Sequence, residues 1–300
     1  MKQVSLSPDF SISQVVHGQM RINDWHLSSD QLLGQMKAIA SMGIDTFDNA
    51  DIYGNYTCEA LVGAALALDP SFRNSIKIIT KCGICIQSDK FPQRQIQFYD
   101  YSYDYIVGQV EKSLQNLRTD RIDLLLLHRP SYLLNPAEVA RAFDKLHTDG
   151  KVLHFGVSNF YAHDFSMLQS YCNVPLITNQ IEVSPYCLEH LENGNLSYLL
   201  EKRIRPMAYS PLAWGKLVHP DCEKSHRIVA ELDRVANEIG VDGIDKVIFA
   251  WIVQHPAGIV PINGSGNIDR IRRSIEALDL RLSAEQWQRI LVASRGVRLP

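Results

Sequence analysis

The sequence predicts an α/β protein folded as a single-domain (β/α)8 TIM barrel, and three observations carry that expectation. Short apolar runs alternate with longer segments of helical period along all 300 residues, and the alternation never stops or resets. The runs number eight, and about 250 residues of repeat after the first of them fit the usual barrel size. The turn after the first run, HGQMRIND at 17–24, lacks the GxGxxG of an open nucleotide-binding sheet, so the closed alternative is preferred.

Taken in order, the first strand is QVVHGQM (14–20), and Ser28 and Ser29 cap a helix over 29–42. IDTFDNA (44–50) precedes a helix over 56–68, and IKIITKC (76–82) precedes one over 103–117. IDLLLLH (122–128) and LHFGVS (153–158) are followed by helical patterns at 136–149 and 162–171. ITNQIEV (177–183) leads to 189–202, IRPMAYS (204–210) to 226–239 and 243–254, and GIVPIN (258–263) to 267–278 and 283–294. Regular βα alternation implies parallel strands joined by right-handed crossovers. Two segments exceed the repeat: residues 83–102 after the third strand and 211–225 after the seventh. Loops of that length at the carboxyl ends of strands are expected to build the substrate and cofactor sites at the barrel mouth.

With 46% hydrophobic and 21% charged residues, the composition is that of a globular chain with a large core. A formal charge of −3 offers no basic field for nucleic acid or an anionic membrane, so a bound anion must be held locally. No apolar run approaches the ~18 residues of a membrane span. The amino terminus lacks a secretory pattern, and the six scattered cysteines read as reduced thiols, so a cytoplasmic protein is expected. Cys82 and Cys85 have CxxC spacing, but nothing nearby completes a metal site, and no metal is expected.

Polar residues recur where each strand ends: Asp48 with Tyr53 five residues on, Lys81, His128, Ser158 with Asn159, Gln180, Tyr209 and Ser265. Singly, each reads as a capping or hydrogen-bonded core group; together they imply one site. Lys81 is the informative member, because a lysine in a buried strand needs a partner, and Asp48 on the neighbouring strand supplies one. An ammonium beside a phenol favours phenolate, so Lys81 is expected to lower the pKa of Tyr53 and make it a usable acid. His128, one strand further on, is placed to orient a substrate oxygen.

Here the sequence resembles the aldo-keto reductases, over almost its whole length. FDNADIYG (47–54), ITKCG (79–83) and LLLLHRP (124–130) match the family order of Asp, Tyr, Lys and His, and GVSNF (156–160), NQIEVSP (179–185) and AYSPLAWG (208–215) match its cofactor segments. The resemblance implies hydride transfer from NADPH to an aldehyde or ketone. Tyr53 would give the proton, Lys81 and Asp48 would support it, and His128 would position the carbonyl. It further implies that Ser158, Asn159 and Gln180 hold the carboxamide, that Tyr209 stacks on the nicotinamide and that Ser210, Pro211 and Leu212 pass the pyrophosphate. Gly264 would line the cofactor, and Ser265 and Arg270 would meet the adenosine 2′-phosphate, giving NADP(H) preference over NAD(H). The chain departs from the family at PINGSGNIDR (261–270), which has no lysine, and at Gln19, Met20 and Arg21.

Trp25 and Trp214 are the candidate substrate contacts, with Phe91, Tyr99 and Tyr101 as further aromatic walls. The expected partner is a small carbonyl compound, and the chain is expected to be a monomer or weak homo-oligomer. A nucleotide-sensing subunit resembling the potassium-channel β subunits is the alternative, and the same Asp48, Tyr53, Lys81 and His128 set is compatible with it. A Schiff-base isomerase or aldolase built on Lys81 would leave Tyr209, Gln180 and the Ser158–Asn159 pair without a task.

Overall fold

The structure, a computed structural model, describes residues 2–300. Eight parallel strands form a closed barrel: β1 (Val16–Gly18), β2 (Thr46–Asp48), β3 (Lys77–Cys82), β4 (Ile122–Leu127), β5 (Val152–Ser158), β6 (Leu176–Glu182), β7 (Met207–Tyr209) and β8 (Val260–Asn263). Each falls within or beside the predicted run, and the strands neighbour one another in chain order. By compactness the chain divides into two units, one ending at Asn179 and the other running from Gln180 to Pro300.

In the first unit, parallel registers pair Gly18 with Asp48, Asp48 with Ile79, Lys81 with Leu126 and Leu127 with Val157. These pairings align the carboxyl ends of β1 to β5, so the polar residues that close each strand share one rim. Below that rim the strands are mostly apolar: Ile78, Ile79, Leu124 and Leu126 are fully buried, as a sheet covered on both faces requires. The helices present one apolar stripe each; Tyr103–Leu117 buries Ile106, Val110, Leu114 and Leu117.

Three features of this unit were absent from the expectation. An amino-terminal hairpin pairs Gln3–Ser7 with Phe10–Ser13, and the Ser13 N–H bonds to the side chains of Asp45 and Thr46 where β2 begins. The long loop after β3 carries its own hairpin, Ile84–Cys85 against Phe98–Tyr99. A one-turn helix, Pro70–Arg73, aims the buried Arg73 at Asp123 (2.8 Å) near the start of β4.

The second unit pairs Gln180 with Met207, Glu182 with Tyr209 and Met207 with Val260. Its core includes Trp251 and Trp287, stacked at 4.8 Å, each donating its indole N–H to the other's backbone carbonyl. The predicted helix over 189–202 is two pieces, Glu189–Glu192 and Asn195–Glu201, because the Asn193–Gly194 pair turns the chain between them. The helix expected from 226 starts earlier, at Glu223.

Candidate active site and cofactor segments

In the first unit, β2 delivers Asp48, the turn after it delivers Tyr53, and β3 delivers Lys81. Lys81 is fully buried and donates to Asp48 Oδ2 (2.7 Å), to the Asn49 carbonyl (2.8 Å) and to Tyr53 Oη (3.0 Å). All three ammonium protons therefore have acceptors, the condition under which a buried charge is tolerable. Burial works against that charge, but Asp48 and Tyr53 together outweigh it and hold the Lys81 pKa above its ordinary value. The ammonium is a fixed feature of the site.

Tyr53 departs from the expectation. Burial pushes its phenol above the ordinary value, the pull of Lys81 does not offset that rise, and Asp48 adds to it. The ammonium is visible in the sequence, whereas the cost of removing a phenolate from water depends on the depth of burial. Tyr53 is thus a protonated donor across the neutral range.

His128 follows β4 and lies edge-on to Tyr53, with ring centroids 5.9 Å apart. Burial first, then Lys81 and Arg129, hold its pKa well below the ordinary value, so the ring is neutral. Its Nδ1 is buried without a hydrogen-bond partner among the described residues. The backbone is held from three sides: His128 N–H donates to the Cys82 carbonyl (2.9 Å), Asn159 Nδ2 donates to the His128 carbonyl (3.2 Å), and Tyr101 takes the next residue. Tyr101 Oη accepts from the Arg129 N–H and donates to its carbonyl. That role replaces the wall position expected of Tyr101, which is only 4% exposed. Its ring lies where a Cβ on Gly83 would come within 1.9 Å, which is one reason glycine follows the strand.

Ser158, buried, closes β5, and Asn159 follows with a left-handed backbone (φ 63°) that turns its amide onto Ser158 Oγ (2.9 Å). Trp25 lies half-buried in the turn Ile22–Trp25, with its ring 5.9 Å from His17. Phe91 packs against the Arg94 guanidinium, 3.8 Å from the ring centroid, and Tyr99 sits in the small hairpin.

Behind the tetrad lies a carboxyl the sequence reading passed over. Asp51, 5% exposed, accepts from Gln109 Nε2 (2.9 Å) while its other oxygen has no hydrogen-bond partner among the described residues. Burial raises its pKa from 3.8 to about 8, with Gln109 opposing and Glu59 adding to the rise. The signal was available in FDNADIYG, where one apolar residue separates Asp51 from Tyr53.

In the second unit, Gln180 is buried on β6 and Tyr209 closes β7, half-buried, with its ring 6.2 Å from that of Trp214. Ser210 (φ 51°), Pro211 and Leu212 lead into a turn in which the Ala213 N–H bonds to the Ser210 carbonyl (2.8 Å). Trp214 is 53% exposed, and its indole donates to Glu182 (3.2 Å). After β8, Gly264 is exposed and the Ser265 N–H folds back on Asn263 Oδ1 (3.0 Å). Asn267 caps the helix Ile268–Glu276 by accepting from the Asp269 and Arg270 N–H groups.

The three arginines of that helix differ. Arg272 is paired with Asp269, and Arg273 with Asp242 and Asp245, whereas the exposed Arg270 guanidinium has no partner among the described residues. An uncommitted guanidinium one turn from a helix start suits a phosphate monoester.

A barrel with an Asp–Tyr–Lys–His cluster at its strand ends defines a class, and the family model for the Aldo/keto reductase family matches residues 14–294: the chain belongs to that family. It is an NAD(P)H-dependent oxidoreductase. The chain is 47% identical over 300 residues, all of both chains, to the uncharacterised oxidoreductase YcsN of Bacillus subtilis (strain 168). It is 40% identical to a 6-dehydroglucose reductase of Agrobacterium fabrum, covering 99% of each chain. Its fold resembles that of a glycerol dehydrogenase of Gluconobacter oxydans, with a TM-score of 0.83, 24% identity and coverage of 99% and 97%.

No helix among the described residues is long and apolar enough to cross a membrane, and no group of metal-binding side chains occurs among them.

Proposed function

We propose that the protein reduces small aldehydes and ketones with NADPH, Tyr53 giving the proton to the carbonyl oxygen. The observation that carries this reading is the fully bonded Lys81, which donates at once to Asp48 and to Tyr53. When bound, the reduced nicotinamide supplies the hydride. Negative charge then grows on the carbonyl oxygen, and Tyr53, protonated because its phenolate is disfavoured by burial, delivers its proton there. As it does so, charge passes to Tyr53 Oη, where the Lys81 ammonium already donates; a donor placed in advance stabilises the transition state more than the ground state. Neutral His128 gives an N–H to the same oxygen and fixes its position.

On this reading, Ser158, Asn159 and Gln180 hold the carboxamide, and Tyr209 lies against the nicotinamide. Ser210, Pro211, Leu212, Gly264, Ser265 and Arg270 follow the rest of the cofactor. Arg270 makes NADPH preferred over NADH, and all 300 residues serve one catalytic domain. Trp25 and Trp214 are the proposed substrate contacts. The substrate class is a small, reactive carbonyl, and the relative named 6-dehydroglucose reductase adds sugar aldehydes to the panel worth testing.

The test is NADPH consumption with a dicarbonyl, a nitrobenzaldehyde and a sugar aldehyde, beside a titration of tryptophan fluorescence with NADPH and NADH. Turnover with at least one carbonyl and tighter binding of NADPH are expected. Tight NADPH binding with no carbonyl consumed would favour a nucleotide-sensing subunit instead.

A further inference from the structure

The turn that follows Tyr53 is held in an unfavourable conformation by a loop remote from it in sequence. Gly54, Asn55 and Tyr56 have φ of 58°, 53° and 62°, three consecutive left-handed residues of which two carry a Cβ. At Gly54 a side chain is also excluded sterically, since a Cβ would lie 2.3 Å from Asn23 Nδ2 and 2.6 Å from Cys58 Sγ. Side-chain-bearing residues leave this region unless their surroundings over-determine it.

At Gly54 the surroundings are Asn23 Nδ2 (3.2 Å) and Thr57 Oγ1 (2.6 Å), which donate to its carbonyl, and at Asn55 and Tyr56 they are one segment, residues 86–94 of the loop after β3. Asn55 Nδ2 donates to Asp89 Oδ1 (2.7 Å), and Tyr56 Oη accepts from Arg94 Nη1 (2.8 Å) and from the Ile86 N–H (3.2 Å). Arg94 also donates to the Ile86 carbonyl (3.2 Å) and lies over Phe91, whose ring meets Tyr56 edge-on at 5.0 Å. The guanidinium is thus the joint between the loop and the strained turn.

We propose that Arg94 is a positioning residue for Tyr53: by latching the loop to Tyr56 it keeps Asn55 and Tyr56 left-handed and so aims the Tyr53 hydroxyl. The loop that covers a substrate would then also set the geometry of the proton donor. Without the latch, Asn55 and Tyr56 relax toward ordinary backbone angles, and Tyr53, joined to them through Gly54, shifts from Lys81.

This rests on Tyr53 being the donor, so Tyr53→Phe is measured alongside. Arg94→Ala is expected to lower kcat about tenfold, with NADPH affinity by tryptophan fluorescence and Tm little changed. Adding Asn55→Gly, which supplies a residue that takes the left-handed conformation freely, should restore most of that loss, whereas a merely structural defect would not be repaired by a glycine. Limited proteolysis should cleave within 86–98 faster in Arg94→Ala, with or without Asn55→Gly. An Arg94→Ala enzyme with unchanged kcat, or a loss that Asn55→Gly leaves in place, would overturn the latch while leaving the donor assignment intact. A Tyr53→Phe enzyme with wild-type turnover would overturn the donor assignment, and the latch with it.

Discussion

The Asp48–Tyr53–Lys81 cluster and the Ser265–Arg270 segment sit at strand ends of the same barrel, yet they are built on opposite terms. In the first, every ammonium proton of Lys81 is committed inside the protein and the group is buried. In the second, Arg270 is exposed and, among the described residues, its guanidinium is uncommitted, while its neighbours Arg272 and Arg273 are paired. On the proposed function the difference has a reason: proton transfer needs a donor whose charge environment is fixed beforehand, whereas recognition of a phosphate needs a charge that is still free to be used. The first costs stability if broken; the second does not.

The largest effect should come from breaking the committed cluster. Lys81→Met leaves Asp48 without its counter-charge in the interior and should destabilise the fold by about 3–5 kcal/mol. Asp48→Asn added to it should recover much of the stability and none of the turnover, as read by denaturant unfolding and NADPH consumption. Equal stability of Lys81→Met and wild type would show that the pair is better solvated than its burial indicates.

A second, smaller effect separates the buried region by pH. Asp51 releases its proton near 3.8 in the unfolded chain and near 8 in the folded one, so between these values the folded state binds more protons. Stability therefore falls as pH rises through that window. Asp51→Asn removes the slope, and its Tm should exceed that of wild type by more at about pH 8 than at about pH 5. A constant difference would mean that Asp51 is ionised in the folded protein.

The smallest effect on the fold belongs to the free arginine. Arg270→Ala should leave Tm unchanged and raise KM for NADPH about tenfold with little change for NADH, the signature of a lost charge-assisted contact to one phosphate. An equal rise for both cofactors would remove Arg270 from the phosphate and erase the contrast with the buried cluster.

The sequence revealed these two regions unequally for physical reasons. Buried strands are apolar, so Lys81 in IKIITKC and His128 after IDLLLL stand out against their background. Alternation of strand and helix is a signal summed over the whole chain, which is why all eight barrel strands were legible. The amino-terminal hairpin was not among the expected elements, although QVSLS and FSIS alternate polar and apolar residues, because its two short strands precede the βα repeat and belong to no βα unit. Tyr101 on Arg129 and Arg94 on Tyr56 join residues 28 and 38 positions apart, contacts that no local period encodes. The direction of the Tyr53 shift was misread because an attractive neighbour is visible in a sequence and the depth of burial is not.

The central claim is that Tyr53 delivers the proton, and one measurement tests it most directly: NADPH consumption with a reactive aldehyde by wild type and Tyr53→Phe, after both are shown to bind NADPH equally. Loss of a general acid is expected to lower turnover by about 10²–10⁴ with cofactor binding intact. A Tyr53→Phe enzyme that binds NADPH and turns over at the wild-type rate would contradict the account.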